Sequence, residues 1–217
     1  FDCVLHSNGR IYACTNQSDV NGTTGSCSGI PSLNNQMPPE YFAEIAPSLT
    51  YGFPNAARGE CVLMGGNPTS GSDPWQISAY PVGTNPPSTF AGSAANNKLY
   101  NISGIGGGSA DGMIEYKGAG TNQGKVLDCF FGDGAGGRIK VFTLNAAGGV
   151  ASVGDLPDPN GSPISILNCL DLCEHPVTGD LYVLKYGSQG GNGTDGELWF
   201  LDRQDPLGGG GAVLARS

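Results

Sequence analysis

Cys169-Leu-Asp171-Leu-Cys173-Glu-His175 carries the clearest set of chemistry-bearing side chains in this sequence. In an extended strand, positions 169, 171, 173 and 175 project to one face. Two thiolates, a carboxylate and an imidazole on one face are a ligand set for zinc or copper. The stronger reading in a secreted chain is that these are disulfide cysteines on a structural strand. Gly25-Ser-Cys27-Ser-Gly29 has the outline of a nucleophile elbow with Cys as nucleophile. It lacks a strand-to-helix context and a third partner, so a disulfide loop is the better reading. Gly104-Ile-Gly106-Gly-Gly108 lacks the Lys-Ser/Thr of a phosphate loop. Leu156-Pro-Asp158-Pro-Asn160-Gly161 begins like a calcium loop but lacks its first Asp and closing Glu. Trp75 and Trp199 have the rings to stack on sugars, although Trp more often packs at a sheet edge. His6 and His175 are the only histidines, and both stand just before a tight turn, a structural position.

The elements that position these residues are strands. Asp2-Cys-Val-Leu-His6-Ser-Asn-Gly9-Arg-Ile11-Tyr12-Ala13 reads against Asp171-Leu-Cys-Glu-His175-Pro-Val-Thr-Gly179-Asp-Leu181-Tyr182-Val183. Each is a strand, a glycine turn and an apolar strand carrying Tyr, the sequence mark of a propeller blade. Further strands are expected over Gly124–Phe131, Arg138–Leu144, Val150–Leu156, Ile166–Glu174, Asp180–Tyr186 and Gly196–Asp202. Pro39–Ile45 reads as a helical turn, and Pro68–Gly108 as long loops with one or two short strands. The expected architecture is all-β, a β-propeller over residues 1–204. A mobile Gly-rich tail is expected over 205–217. At about 40–50 residues per blade, the length allows four to five blades. The opening at Phe1, directly in strand-like sequence and without Met, reads as a processed or truncated chain.

Composition narrows the function classes. Charged residues are 13% of the chain, and the net charge is −9 with ten Lys and Arg scattered along it. No basic patch exists for nucleic acid, and an acidic membrane surface would repel the chain. No apolar run is long enough for a membrane span. Five Asn-x-Ser/Thr sequons start at Asn16, Asn21, Asn101, Asn160 and Asn192. Seven cysteines are present: Cys3, Cys14, Cys27, Cys61, Cys129, Cys169 and Cys173. Together these point to an oxidising secretory route and an extracellular glycoprotein with disulfides. Seven is odd, so at least one thiol is unpaired or bonds outside the chain. Connectivity is not readable from sequence; Cys27 with Cys61 is one pairing between loops.

Two segments carry a resemblance. Phe1-Asp2-Cys-Val-Leu-His-Ser-Asn8-Gly9-Arg-Ile-Tyr12-Ala and Thr50-Tyr51-Gly52-Phe53-Pro54-Asn55-Ala-Ala-Arg58-Gly59-Glu60-Cys61 resemble segments of the glucose/sorbosone dehydrogenases. Weaker likeness runs through Ser109–Tyr116, Gly137–Ile139 and His175–Gly187, in the family's order. The likeness covers the family's C-terminal half. It implies a share of a six-bladed ring, with an N-terminal portion or companion chain supplying the rest. It implies a pyrroloquinoline quinone (PQQ) cofactor, a calcium ion and a sugar substrate. Backbone carbonyls of Gln17 and Ser18 would bind the calcium, and Tyr51, Asn55 and Arg58 would line the cofactor cleft. The family's catalytic His comes from an early blade with no counterpart here, so no catalytic residue is assigned.

The sequence also departs from that pattern. Thr15-Asn16-Gln17-Ser18 replaces the family's Asp-Asn-Gly-Pro, and Asn16 heads a sequon. Glu40-Tyr-Phe-Ala43 lacks the family's Asn, and Asp133-Gly-Ala-Gly-Gly stands where a Lys would hold the quinone. A carboxylate there repels a tricarboxylate cofactor. Two functions follow: a PQQ- and calcium-dependent sugar dehydrogenase with a partly degraded site, or a non-catalytic extracellular propeller that binds glycan or protein.

Overall fold

The computed structural model describes residues 2–15, 41–49, 51, 62–63, 76–77, 91, 96–102, 109–131, 137–158, 160–187, 196–202 and 214–216. The chain divides into two compact units, Phe1–Thr15 with Ser103–Ser217, and Asn16–Ile102. Among the described residues the fold is all-β, with no helix. The strands are β1 (Cys3–Leu5), β2 (Ile11–Thr15), β3 (Tyr41–Ile45), β4 (Val62–Leu63), β5 (Gln76–Ile77), β6 (Leu99–Asn101) and β7 (Ser109–Glu115). They continue as β8 (Val126–Phe131), β9 (Arg138–Leu144), β10 (Val150–Asp155), β11 (Cys169–Glu174), β12 (Leu181–Lys185), β13 (Glu197–Leu201) and β14 (Leu214–Arg216).

In the first unit β1 and β2 pair as an antiparallel hairpin. Strands β7 to β10 form a four-stranded antiparallel meander, the middle sheet, and β11 to β14 form a second, the last sheet. The strands expected in this half are all present, and β9 has the predicted bounds. Tight turns explain why. His6–Arg10, Asn145–Gly149 and Asp158–Ser162 share one closure, in which the first residue bonds the fifth and the fourth N–H returns to the first carbonyl. The fourth residue is Gly9, Gly148 or Gly161, with φ of 82°, 85° and 83°. Only glycine adopts that conformation without strain.

Two corrections concern local structure. Pro39–Ile45 is not a helical turn: Tyr41–Ile45 is strand β3, paired with β6 in the second unit. Burial of Phe42 and Ala43 holds it extended against weak local preference. Within the stretch expected as a mobile tail, Leu214–Arg216 form β14 on the edge of β13. The two four-stranded sheets each take a span close to the assumed 40–50 residues.

One apolar cluster fills the space between the middle and last sheets. Leu127, Cys129, Ile139 and Val141 meet Leu172, Leu181, Val183, Trp199 and Leu201, with Ile114 packed against them. The Cys129–Cys169 disulfide crosses this core from β8 to β11, with Cα atoms 5.4 Å apart.

Polar ties repeat between successive sheets. His6 Nδ1 accepts the Asn8 amide (3.1 Å), which leaves the ring proton on Nε2. That Nε2 donates to the Gly124 carbonyl, at 2.9 Å, in the first turn of the middle sheet. Tyr116 Oη likewise donates to the Gly179 carbonyl, at 2.9 Å, in the first turn of the last sheet. The amide after each ring donor is also bound by the next sheet. Ser7 N–H donates to Glu115 Oε2 at 2.8 Å. Lys117 N–H donates to Glu174 Oε2 at 2.7 Å.

Candidate functional site

Strand β8 is buried from Val126 to Phe130, and Asp128 sits in the middle of it with no exposed surface. Alternation sends Leu127 and Cys129 into the core shared with the last sheet. Val126, Asp128 and Phe130 therefore face the other way. Neither Asp128 oxygen has a hydrogen-bond partner of ordinary geometry. Its pKa is raised to about 8, chiefly by burial; the Cys14 thiol contact lowers it, and the Asp111 and Asp2 charges raise it. A thiol is a weak donor, so this contact does not satisfy the carboxyl. Lys140 stands directly across from Asp128 on β9. Its Nζ is committed elsewhere, donating to Asp155 Oδ1 at 2.6 Å. Asp128 therefore holds a proton at neutral pH, as a neutral acid with the Cys14 thiol against it.

Close backbone approach builds this region. A Cβ added at Gly112 would come within 2.6 Å of Asp171 Cα, so β7 and β11 lie nearly in contact there. Replacing Gly112 with Ala should cost about 1–3 kcal/mol, because backbone rather than a flexible side-chain tip must move. Urea unfolding of the Gly112→Ala variant checks this, and an unchanged midpoint would show that the strands can separate freely.

Of the residues implied for the calcium and cofactor sites, Tyr51 alone lies among the described residues. Tyr51 is half-buried, and its hydroxyl is taken by backbone. It donates to the Glu44 carbonyl at 2.8 Å and accepts the Ala46 amide at 2.6 Å. Burial raises its pKa, the Ala46 amide lowers it, and the Glu44 charge raises it. Asn55, Arg58, Gln17 and Ser18 lie outside the described residues, as do Trp75, Cys27, Cys61 and the sequon residues Asn16, Asn21 and Asn192. Asn101 and Asn160 are exposed, as glycan attachment requires.

Within Cys169–His175 the disulfide reading, the stronger of the two, holds for Cys169. A register shift between Cys169 and Asp171 breaks strict alternation in β11. Cys169 turns into the core and bonds Cys129, while Cys173 is an exposed thiol, as is Cys3. Among the described residues no group of three or more His, Cys, Asp or Glu side chains is arranged to hold a metal ion. His6 and His175 are both turn residues, each with Nδ1 accepting an amide of its own turn. Trp199 is buried in the core and donates to Glu197 Oε2 at 2.7 Å, so it offers no stacking face for sugar.

Asp128 is the residue that sequence reasoning missed. Its signal is a single carboxylate inside the apolar run Val126-Leu-Asp-Cys-Phe-Phe131, which predicts a strand but also an acid with no obvious route to water. No family model matches the chain, no curated protein matches it, and no solved structure matches it.

Proposed function

We propose that the chain forms neighbouring blades of a β-propeller in a secreted glycoprotein, and that it serves as an extracellular binding or structural module without sugar dehydrogenase activity. The observation that carries the scaffold reading is the repeated tie between sheets. His6 and Tyr116 each donate to the next sheet's first turn, while Glu115 and Glu174 each bind the amide that follows the ring donor. Successive four-stranded meanders locked in one sense are the arrangement a propeller needs. The dehydrogenase resemblance rests on the residues quoted for it.

One described residue supports a reading without the quinone. Tyr51, the one described member of the implied cofactor cleft, has its hydroxyl filled by the backbone of Glu44 and Ala46. No step is derived through that group.

The test is sugar-dependent dye reduction by the purified protein supplied with PQQ and calcium, alongside equilibrium dialysis of PQQ itself. The expected result is no reduction above the sugar-free control and no retained quinone. Reduction that requires both PQQ and calcium would overturn this reading in favour of the dehydrogenase.

A further inference from the structure

The ties between sheets define equivalent positions, and these expose a mismatch at the β1–β2 hairpin and at the last sheet. Pairing registers place Leu5 opposite Ile11, Glu115 opposite Val126 and Glu174 opposite Leu181, each at the close of a first hairpin. Leu5 therefore stands where the later sheets carry the tying Glu. Ser7 and Lys117, which follow His6 and Tyr116, give their amides to that Glu. The residue that follows His175 is Pro176, which has no N–H to give. The hairpin lacks the carboxylate and the last sheet lacks the amide: the two defects are complementary.

We infer that the open flank of β11–β14 packs against the β1–β2 hairpin of a second copy of this chain, head to tail. The inference rests on the blade reading above. A neighbouring sheet with Glu at the tying position would bury a carboxylate against Pro176 with no donor for it. Leu5 instead brings an apolar side chain, 69% exposed in the single chain, to Pro176 and to Val177, 86% exposed. The flanks around these points are also apolar. Leu184 and Leu198 are cross-strand partners, 42% and 45% exposed. They share the face of Tyr182 and Phe200, whose rings lie 5.3 Å apart. Ile11, beside Leu5, is 41% exposed. The ring for this tie is in place, with His175 Nδ1 held inside its own turn at 3.1 Å from the Thr178 amide and 3.0 Å from the Thr178 hydroxyl. Nε2 of His175 then corresponds to the atom with which His6 reaches Gly124, and the matching acceptor in the second copy is the Gly9 carbonyl.

The exposed thiols fall at this contact. Cys173 pairs with Tyr182, as Ile114 pairs with Leu127, so Cys173 and Ile114 are equivalent. Cys3 pairs with Ala13, as Leu172 pairs with Val183, so Cys3 is equivalent to Leu172 on the same basis. Ile114 and Leu172 belong to the apolar packing between the middle and last sheets. The corresponding residues between copies are Cys173 of one chain and Cys3 of the other. Two thiol–disulfide exchanges with oxidised glutathione would join them, converting two thiols and one glutathione disulfide into one protein disulfide and two glutathiones.

The test uses the full secreted chain. Native mass spectrometry across a dilution series should show self-association that Leu5→Glu weakens by at least about tenfold in Kd, since the new carboxylate meets no donor. Mixing isotope-labelled and unlabelled chains before oxidised glutathione should yield a Cys3–Cys173 peptide of mixed isotope content. A chain that stays monomeric at every concentration, a linked peptide of unmixed isotope only, or a flank occupied by a different polypeptide would each overturn the second-copy contact. Hydrogen exchange at the Ser7 and Lys117 amides separates the two levels. Protection there in a monomer keeps the blade reading and sinks only the second copy. Rapid exchange there would overturn the blade reading and this inference with it.

Discussion

Asp128→Asn should flatten the dependence of unfolding free energy on pH. In the folded chain the carboxyl titrates at about 8, against an ordinary value of 3.8. Below the ordinary value both states hold the proton, and the group adds no pH dependence. As pH rises from about 4 towards 8 the unfolded chain ionises while the folded chain does not. Each pH unit in that window then removes about 1.4 kcal/mol of stability. By pH 7 the loss is on the order of 4 kcal/mol. Asn has no such titration. At pH 4 the variant should be the less stable, by about 1–3 kcal/mol, because its amide donors meet no partner. At pH 7 the order should be reversed. Urea unfolding of both proteins from pH 4 to 8 measures the difference directly, which cancels the other titrating groups. Parallel curves would mean that water reaches the carboxyl.

The second large effect belongs to the bridge between sheets. Cys129 and Cys169 are both fully buried, and 40 residues separate them in sequence. Closing a loop of that length removes unfolded-state entropy worth about 4 kcal/mol in the chain-entropy model. A Cys129→Ala, Cys169→Ala double variant should lose stability of that order. Its melting temperature should fall on the order of 10 °C for a chain of this size. The double change is preferable to a single one, which leaves a lone thiol inside the core beside Leu172 and Val183. Reducing agent should act on the folded protein slowly, since neither sulfur is open to solvent. Differential scanning calorimetry with and without reductant checks both statements. A melting temperature indifferent to the double variant would show that the core alone holds the sheets together.

These two effects share one cause. The faces of β8 are committed to different neighbours: Leu127 and Cys129 to the last sheet, Asp128 to the opposite side, near Cys14 of β2. A substitution on either face acts on contacts between sheets, not within the strand.

Much of the strand pattern was legible in sequence, because it is local. Alternation in Arg138–Leu144 and glycine at the fourth turn position specify strand and hairpin without reference to anything distant. The shared placement of His6 and His175 before their turns was legible for the same reason, and both histidines do serve their turns. Local reading failed at Pro39–Ile45, where pairing with β6 overrides the local preference of Tyr41–Ile45. It failed again at Cys169–His175, because a single shift of register in β11 moves Cys169 off the face that period-two counting assigned to it.

The sequence by itself determined an all-β chain, with strands and tight turns at stated places in its second half and cysteines in excess of an even number. Tertiary structure alone decided that Cys129 meets Cys169, that the Tyr51 hydroxyl closes on its own backbone, and that Asp128 is sealed from water. The physical reason is range. Backbone sterics and side-chain alternation act within a few residues and write themselves into the sequence. The dielectric around a carboxyl, or the partner of a thiol, depends on which face of another sheet arrives from far along the chain.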